Sequence, residues 1–231
     1  ELHTAPITWE TKSAVLCFLT DITARRHAEQ CRDKVMQNLD IALNGSVQAI
    51  ARIIEVRDPY TAGHERRVAD LALAIAQEMH ADPDTISAVK IAGMIHDIGK
   101  IAIPAEILSK PSTLSEAEYE IIHTHSQIGY QILSEIHFPW PIAEIVLQHH
   151  ERLDGSGYPQ GLVGDQILPI ARIIGVADVV EAMASHRPYR ASRGIDKALD
   201  EIAQGRGTRY DPTVVDICIR LFREQGYRLP D

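Results

Sequence analysis

The sequence predicts an all-α protein with a short β-hairpin at its N-terminal end. Three observations point there. Apolar residues recur at spacings of three and four through most of the chain after residue 24. Aromatic residues make up only 5% of the chain, while Leu, Ile, Val and Ala dominate. Helix-start signals such as Asp82-Pro83, Ser115 with Glu118, and Pro169 cut the apolar pattern into helices of ordinary length.

The 231 residues can bury a sizeable core, and 45% hydrophobic with 24% charged residues is ordinary for a globular protein. The net charge of −9 argues against a nucleic-acid polymer as partner, because phosphate contacts need basic surface. It leaves a small phosphorylated ligand open, since bound cations can outweigh the global charge locally. Cys17, Cys31 and Cys218 form no CxxC pair and read as reduced, structural thiols, as expected in the cytoplasm. No apolar run reaches the length of a membrane span. The chain starts at Glu1 without Met, so the expectation is an excerpt of a longer protein, in which an upstream anchor is not excluded.

Residues 3–9 and 14–20 are two β-rich runs flanking a polar turn, Glu10-Thr11-Lys12-Ser13. Thr20-Asp21-Ile22-Thr23 then opens a long helix over 24–57, charged in its early half. Val35, Leu39, Ala42, Leu43, Val47, Ile50, Ile53 and Ile54 mark its apolar face. The early half suits pairing with a second copy, and the later half suits a core helix. Asp58-Pro59 breaks the helix, and another is expected from about 62 to 80 with His64 in its first turn. A third, about 84–98, ends in His96-Asp97. Gly99, Pro104 and Pro111 make 99–113 an expected irregular loop. Ser115 and Glu118 form a capping box for a helix carrying His123 and His125. Pro139-Trp140-Pro141 precedes a helix ending in His149-His150-Glu151, and the glycine-rich stretch 152–162 forbids a regular element. Pro169 starts the helix bearing Asp178, and two more helices are expected at about 194–205 and 211–225.

His64, His96, Asp97, His125, His149, His150 and Asp178 stand at or near helix ends, so they can converge on one pocket. Imidazole and carboxylate donors without a nearby thiolate suit Fe, Mn, Zn, Co or Ni. Seven donors exceed the coordination of one ion that also keeps water or substrate, and suit two ions bridged by a carboxylate. Adjacent helical residues point about 100° apart, so Asp97 can bridge while His96 binds one ion. His3, His27, His80 and His137 read as surface residues. His123, two residues from His125, faces about 200° away on a helix and is also expected at the surface. Cys218, in an apolar stretch, is expected in the core.

Two resemblances follow from these motifs. The first covers about 25 residues. A tryptophan-bearing strand, a final strand and Asp21-Ile22-Thr23 opening a helix resemble the end of a PAS sensor domain. The second is more specific. His64…His96-Asp97…Asp178 resembles the HD-domain phosphohydrolase superfamily. His96-Asp97-Ile98-Gly99-Lys100, Ile103-Pro104, Leu108-Ser109-Lys110-Pro111, His149-His150-Glu151, Asp154-Gly155, Gly157-Tyr158-Pro159 and Arg187-Pro188-Tyr189-Arg190 resemble its HD-GYP subfamily, over roughly residues 57–225. The expected organisation is therefore a hairpin remnant over 1–23, a signalling helix over 24–57, and an HD-GYP domain of the HD helical-bundle type over 58–231.

The resemblance implies a binuclear metal centre and a phosphodiesterase acting on the bacterial second messenger cyclic di-GMP. It implies His64, His96, Asp97 and Asp178 on one ion, and Asp97, His125, His149 and His150 on the other, with Fe or Mn ahead of Zn, Ni or Co. Lys100 matches a lysine beside the scissile phosphate, Arg187 and Arg190 match substrate contacts, and Gly157, Tyr158 and Pro159 shape a loop near the site. Some members add a glutamate four residues before the first histidine for a third ion; Tyr60 stands there in this chain, so two ions are expected. The products implied are pGpG, then GMP. Glu151, Asp154 or a metal-bound water are the candidate general acids. The rival readings are a phosphodiesterase for another cyclic dinucleotide such as 3′3′-cGAMP, a low-turnover ligand-binding signalling module, and a nucleotidase of the wider HD group. A homodimer through the N-terminal helix and a protein partner at the Gly157-Tyr158-Pro159 loop, expected to be exposed, complete the expectations.

Overall fold

The computed structural model describes residues 2–57, 63–110, 112–185 and 194–230. It divides into two compact units, Glu1–Ser46 and Val47–Asp231. In the first, β1 (Leu2–Trp9) pairs antiparallel with β2 (Lys12–Leu19), in the register Leu2 opposite Leu19 through Trp9 opposite Lys12. The turn is two residues long, tighter than the four-residue turn expected. Glu10 and Thr11 both take positive φ, the hand that matches the strand twist. Val15, Leu16, Phe18 and Leu19 are exposed.

Helix α1 spans Thr23–Arg57, and Asp21 accepts from the Thr23 amide at its start. Within the first unit Val35, Met36, Leu39, Ile41 and Leu43 are exposed. Within the second, Val47, Ala51 and Ile54 of the same helix are buried in the core, while Ile53, expected inside, is exposed. Val47, Ala51 and Ile54 keep the spacing of one helical face, and Ile53 falls off it.

The second unit is an all-helical bundle. α2 (His64–Glu78) packs on α3 (Pro83–Ile95) and on α7 (Pro169–Ala184). α5 (Glu116–Ser134) packs on α6 (Ile142–Gln148), and α8 (Ile195–Gln204) and α9 (Pro212–Arg223) pack on α7. The core runs through Leu71, Ile75, Ile95, Val146, Ile174 and Ile202, all essentially solvent-free. The expected caps form. Asp82 accepts from the Asp84 and Thr85 amides, and Ser115 and Glu118 close a reciprocal capping box. Cys218 is buried and its thiol is pushed up to about 12 by burial, but Cys17 and Cys31 are exposed, so they are not structural.

Two expectations are corrected between α3 and α5. α3 ends at Ile95, with His96 as its C-cap, rather than reaching residue 98. The stretch expected to be irregular holds a 3-10 helix, Ile98–Ala102, and a single α-turn, α4 (Ala105–Leu108). Gly99 explains how the 3-10 helix reaches α5: a Cβ there would lie 1.8 Å from the His125 carbonyl oxygen. No described helix is long and apolar enough to cross a membrane.

Candidate metal centre

Three of the candidate histidines are set by one local device. In His96, His125 and His149 the ring Nδ1 donates to the carbonyl three residues earlier: Gly93 at 2.8 Å, Ile122 at 2.6 Å and Val146 at 2.5 Å. With Nδ1–H committed to the backbone, Nε2 of each ring is turned inward. His96 and His149 are also the C-cap residues of α3 and α6, so their ring N–H groups satisfy carbonyls that a helix end leaves without intrahelical partners. His64 opens α2 and is held from behind by Glu181, whose Oε2 meets its Nδ1.

The inward nitrogens converge on two carboxylates. Asp97 Oδ1 lies 3.3 Å from His125 Nε2, while Oδ2 lies 3.7 Å from His96 Nε2 and 3.9 Å from His64 Nε2. One carboxylate therefore faces two histidine groups with different oxygens. Asp178 Oδ1 is 3.3 Å from His64 Nε2 and 4.0 Å from His96 Nε2, and its Oδ2 is 3.9 Å from His150 Nδ1. His125 Nε2 is 3.4 Å from His149 Nε2 and 3.2 Å from His150 Nε2. All seven sequence-chosen donors thus come together. Asp97, His125, His149 and His150 each offer one donor atom within 4.8 Å of the others.

The charges fit cations. Burial disfavours charge on His64 and His96, yet neighbouring carboxylates outweigh it. Hydrogen bonds to Asp178 and Glu181 raise His64 to about 9, and the nearby charges of Glu65 and Asp97 raise His96 to about 10. Burial holds His125, His149 and His150 below the usual imidazole range, and like-charged ring neighbours push the same way, His149 to about 3. Burial opposes ionisation of Asp97 and Asp178, but Lys100 and His96 hold Asp97 well below the carboxylate range, and His64 does the same for Asp178. His96 Nε2 is fully buried and has no hydrogen-bond partner among the described residues. An unmatched polar atom aimed at two carboxylates is what a cation site requires and what an ordinary core avoids. The donor set fits divalent ions of the Fe, Mn or Zn type.

Lys100 Nζ pairs with Asp97 Oδ2 from the 3-10 helix. Arg187, Arg190, Tyr60 and Asp58 lie outside the described residues. The Gly157-Tyr158-Pro159 loop folds over the His150 side. A Cβ on Gly157 would sit 2.4 Å from Glu151 Cα and Arg152 N, so only glycine allows this approach. Tyr158 stacks on His150 at a centroid distance of 4.6 Å and on His123 at 3.9 Å. Two expectations fall with that stack. His123 is half-buried against Tyr158 rather than at the surface, and of the loop residues expected to be exposed only Pro159 is so. His3, His27, His80 and His137 are exposed, as expected.

Both side-chain candidates for the general acid are engaged elsewhere. Glu151 accepts from the Gln160 and Leu162 amides at 2.7 and 2.9 Å, which ties down the glycine-rich loop. Asp154 is exposed and accepts from the amide and hydroxyl of Ser156. Sequence reasoning missed two buried carboxylates. Glu181 accepts from His64, from Arg67 Nε at 2.7 Å and from Ser185 Oγ at 2.6 Å. Its spacing of three from Asp178, one helical turn along the same face, was a usable signal. Glu65, wholly buried, brings Oε2 within 3.0 Å of His96 Nδ1. It stands beside His64 at a helix start, where an acidic residue reads as an ordinary dipole partner. Geometry also admits Glu65 as a donor grouped with His64, His96 and Asp97. It approaches the Nδ1 edge of His96, however, opposite the Nε2 that faces Asp97, which places it behind the imidazole.

Fold and site together define a mainly helical protein with buried His/Asp clusters that could hold divalent metal ions. The chain matches the HD domain family over residues 48–214 and belongs to it. It is 41% identical over 177 residues to a cyclic di-GMP phosphodiesterase response regulator of Xanthomonas campestris, covering 76% of this chain and 47% of that protein. It is 38% identical over 209 residues to a cyclic di-GMP phosphodiesterase of Thermotoga maritima, covering 90% and 55%. A 3′3′-cGAMP-specific phosphodiesterase of Vibrio cholerae is 38% identical over 193 residues, covering 83% and 41%. The chain thus spans about half the length of the curated relatives it matches. Among solved structures, a Bdellovibrio bacteriovorus protein described as HDG"Y"P aligns with a TM-score of 0.61 over 95% of this chain and 94% of its own, at 15% identity, a likeness of fold.

Proposed function

We propose that this chain is a metal-dependent phosphodiesterase of the HD-GYP type that hydrolyses cyclic di-GMP to pGpG and then GMP. The observation that carries this reading is Asp97, whose two carboxylate oxygens face two separate histidine groups beside the unpartnered Nε2 of His96. His64, His96, Asp97 and Asp178 would hold one divalent ion, and Asp97, His125, His149 and His150 a second, Fe or Mn first by donor chemistry. Such a pair, when bound, polarises water and offsets the charge growing on a phosphate.

The chain's own residues account for the rest. Lys100, 12% exposed at its side chain, is positioned to add a point charge at a non-bridging phosphate oxygen. Tyr158 walls the His150 side of the centre and limits access of water. Water adds to phosphorus as the bond to the 3′-oxygen breaks, and the leaving oxygen takes a proton. With Glu151 and Asp154 engaged in loop geometry, that proton comes from solvent or from a water in the centre. Arg187 and Arg190 are proposed substrate contacts, and Tyr60 in place of a glutamate supports two ions rather than three.

The test is hydrolysis of cyclic di-GMP by Fe(II)- and Mn(II)-loaded protein, with Asp97→Ala as control and products separated by chromatography. Metal-dependent pGpG that vanishes in the variant is the expected result; two bound ions without cleavage would refute the enzyme reading. A second reading, 3′3′-cGAMP as preferred substrate, has support from the equally similar Vibrio cholerae relative. Competition between the two dinucleotides in one assay separates them. A cytoplasmic signalling dimer through α1 is also proposed, supported by exposed Val35, Leu39 and Leu43 on its early half. Leu39→Glu should shift the sedimentation coefficient to that of a monomer.

A further inference from the structure

The two histidine groups of the centre are backed differently. His96, His125 and His149 share the same ring-to-backbone hydrogen bond, each Nδ1 to the carbonyl three residues earlier. That bond cannot distinguish them. His96 alone of the three also has a carboxylate at Nδ1. Glu65 Oε2 lies 3.0 Å away, on a side chain with no solvent exposure. The N–H itself points to Gly93, and neither Glu65 oxygen has another hydrogen-bond partner among the described residues. Glu65 therefore acts on His96 mainly through its charge. The other histidine of this group, His64, is likewise backed by a carboxylate, Glu181. Among the described residues, Nδ1 of His125 and of His149 meets a neutral carbonyl, while His150 Nδ1 lies 3.9 Å from Asp178 Oδ2.

We propose that Glu65 is a positioning and tuning residue for His96, and that with Glu181 it makes the His64/His96 half of the centre the tighter, first-filled metal site. The inference rests on the two-metal reading above. The Gly93 bond fixes the ring, a carboxylate beside it raises the electron density at the opposite nitrogen, and removing an outer partner of a metal-binding histidine typically costs about 10- to 100-fold in metal affinity. A carbonyl fixes the ring without adding charge. The chain thus contains its own comparison: one backbone device repeated at His96, His125 and His149, with a carboxylate at the backed nitrogen of His96 alone among these three.

The test is a titration of the metal-free full chain, with Mn(II) followed by calorimetry and Co(II) followed by its visible absorption. Glu65→Gln removes the charge and keeps the shape; Glu65→Met removes charge and hydrogen-bonding capacity, and gives a second variant should the first fail to fold. His149→Ala marks the other half. The wild type should fill in two steps. Both Glu65 variants should weaken the tighter step by about 10- to 100-fold and leave the weaker step unchanged, while His149→Ala abolishes the weaker step alone. A purely structural role for Glu65 would weaken both steps alike, and that result overturns the proposal. So does a tighter step that ignores Glu65 or is lost in His149→Ala. A wild type that binds no ion at all overturns the two-metal reading itself, a distinguishable failure.

Discussion

Loading the centre with metal should expel protons, and the number follows from the site. In the metal-free chain His64 titrates at about 9 and His96 at about 10, both raised by carboxylates that outweigh burial. At pH 7 each is therefore more than about 95% protonated. His125, His149 and His150 are held below the ordinary range and carry no proton to release. Asp97 and Asp178 are already ionised. An imidazole must be neutral at its donor nitrogen to bind a metal, so loading at pH 7 should release about two protons per centre. The sign is fixed: these groups favour the proton at low pH, so apparent affinity rises with pH. For the ion on His64 and His96 the rise is about hundredfold per pH unit between pH 7 and 8, flattening as pH passes about 9 and 10. Calorimetric titration with Mn(II) in phosphate and in Tris, buffers of different ionisation enthalpy, gives the proton count directly. A count near zero, or an affinity flat from pH 6.5 to 8, would refute the reasoning, because His64 and His96 would not then be cations awaiting replacement.

Two further outcomes follow from the contacts. Glu181→Ala leaves buried His64 and the part-buried Arg67 without their shared carboxylate, and should destabilise the metal-free chain by about 3–5 kcal/mol in denaturant titrations. Glu181 is lowered to about 2 while His64 is raised to about 9, so the deficit should be largest near pH 5–6, shrink as pH rises through 9 and shrink again as Glu181 protonates in acid. Gly157→Ala puts a Cβ 2.4 Å from Glu151 Cα and should displace the Tyr158 loop; on the proposed function it cuts turnover of cyclic di-GMP at least about tenfold without changing the metal content from that of the wild type.

Much of the fold was legible because its signals are local. Asp82, Ser115 and Glu118 mark helix starts through bonds to their own next few residues, and those bonds form. The candidate donors that the structure brings together were legible because His96-Asp97 and His149-His150 stand where apolar periodicity stops. What escaped depends on tertiary contact. Glu65 and Glu181 look like ordinary helix-surface charges, and only packing of α2 against α3 and α7 buries them beside imidazoles. Helix phase alone puts His123 at the surface, because it cannot see Tyr158 arriving from another segment. The 3-10 helix after His96 was missed because Gly99 and Pro104 signal only a break. Gly99 is there because α5 passes too close for a side chain.

The site also shows why its candidate donors sit at helix ends. A helix terminating at Ile95 or Gln148 leaves its last carbonyls without intrahelical amides. A histidine at the C-cap satisfies one of them with Nδ1–H, and that bond alone decides that Nε2 faces away from the helix. The negative end of the helix dipole then lies behind the ring, which favours a cation in front of it. Ending the helix, fixing the tautomer and preparing the field are one event at His96 and again at His149. His64 stands at a helix start, where the dipole has the opposite sign and repels a cation. There the chain supplies a full charge instead, Glu181, to reverse the field. A full carboxylate charge behind His64 outweighs the roughly half charge of its helix start. Behind His96, already served by its helix end, Glu65 adds a second source of negative charge, so both histidines of the half proposed to fill first have a carboxylate at the back.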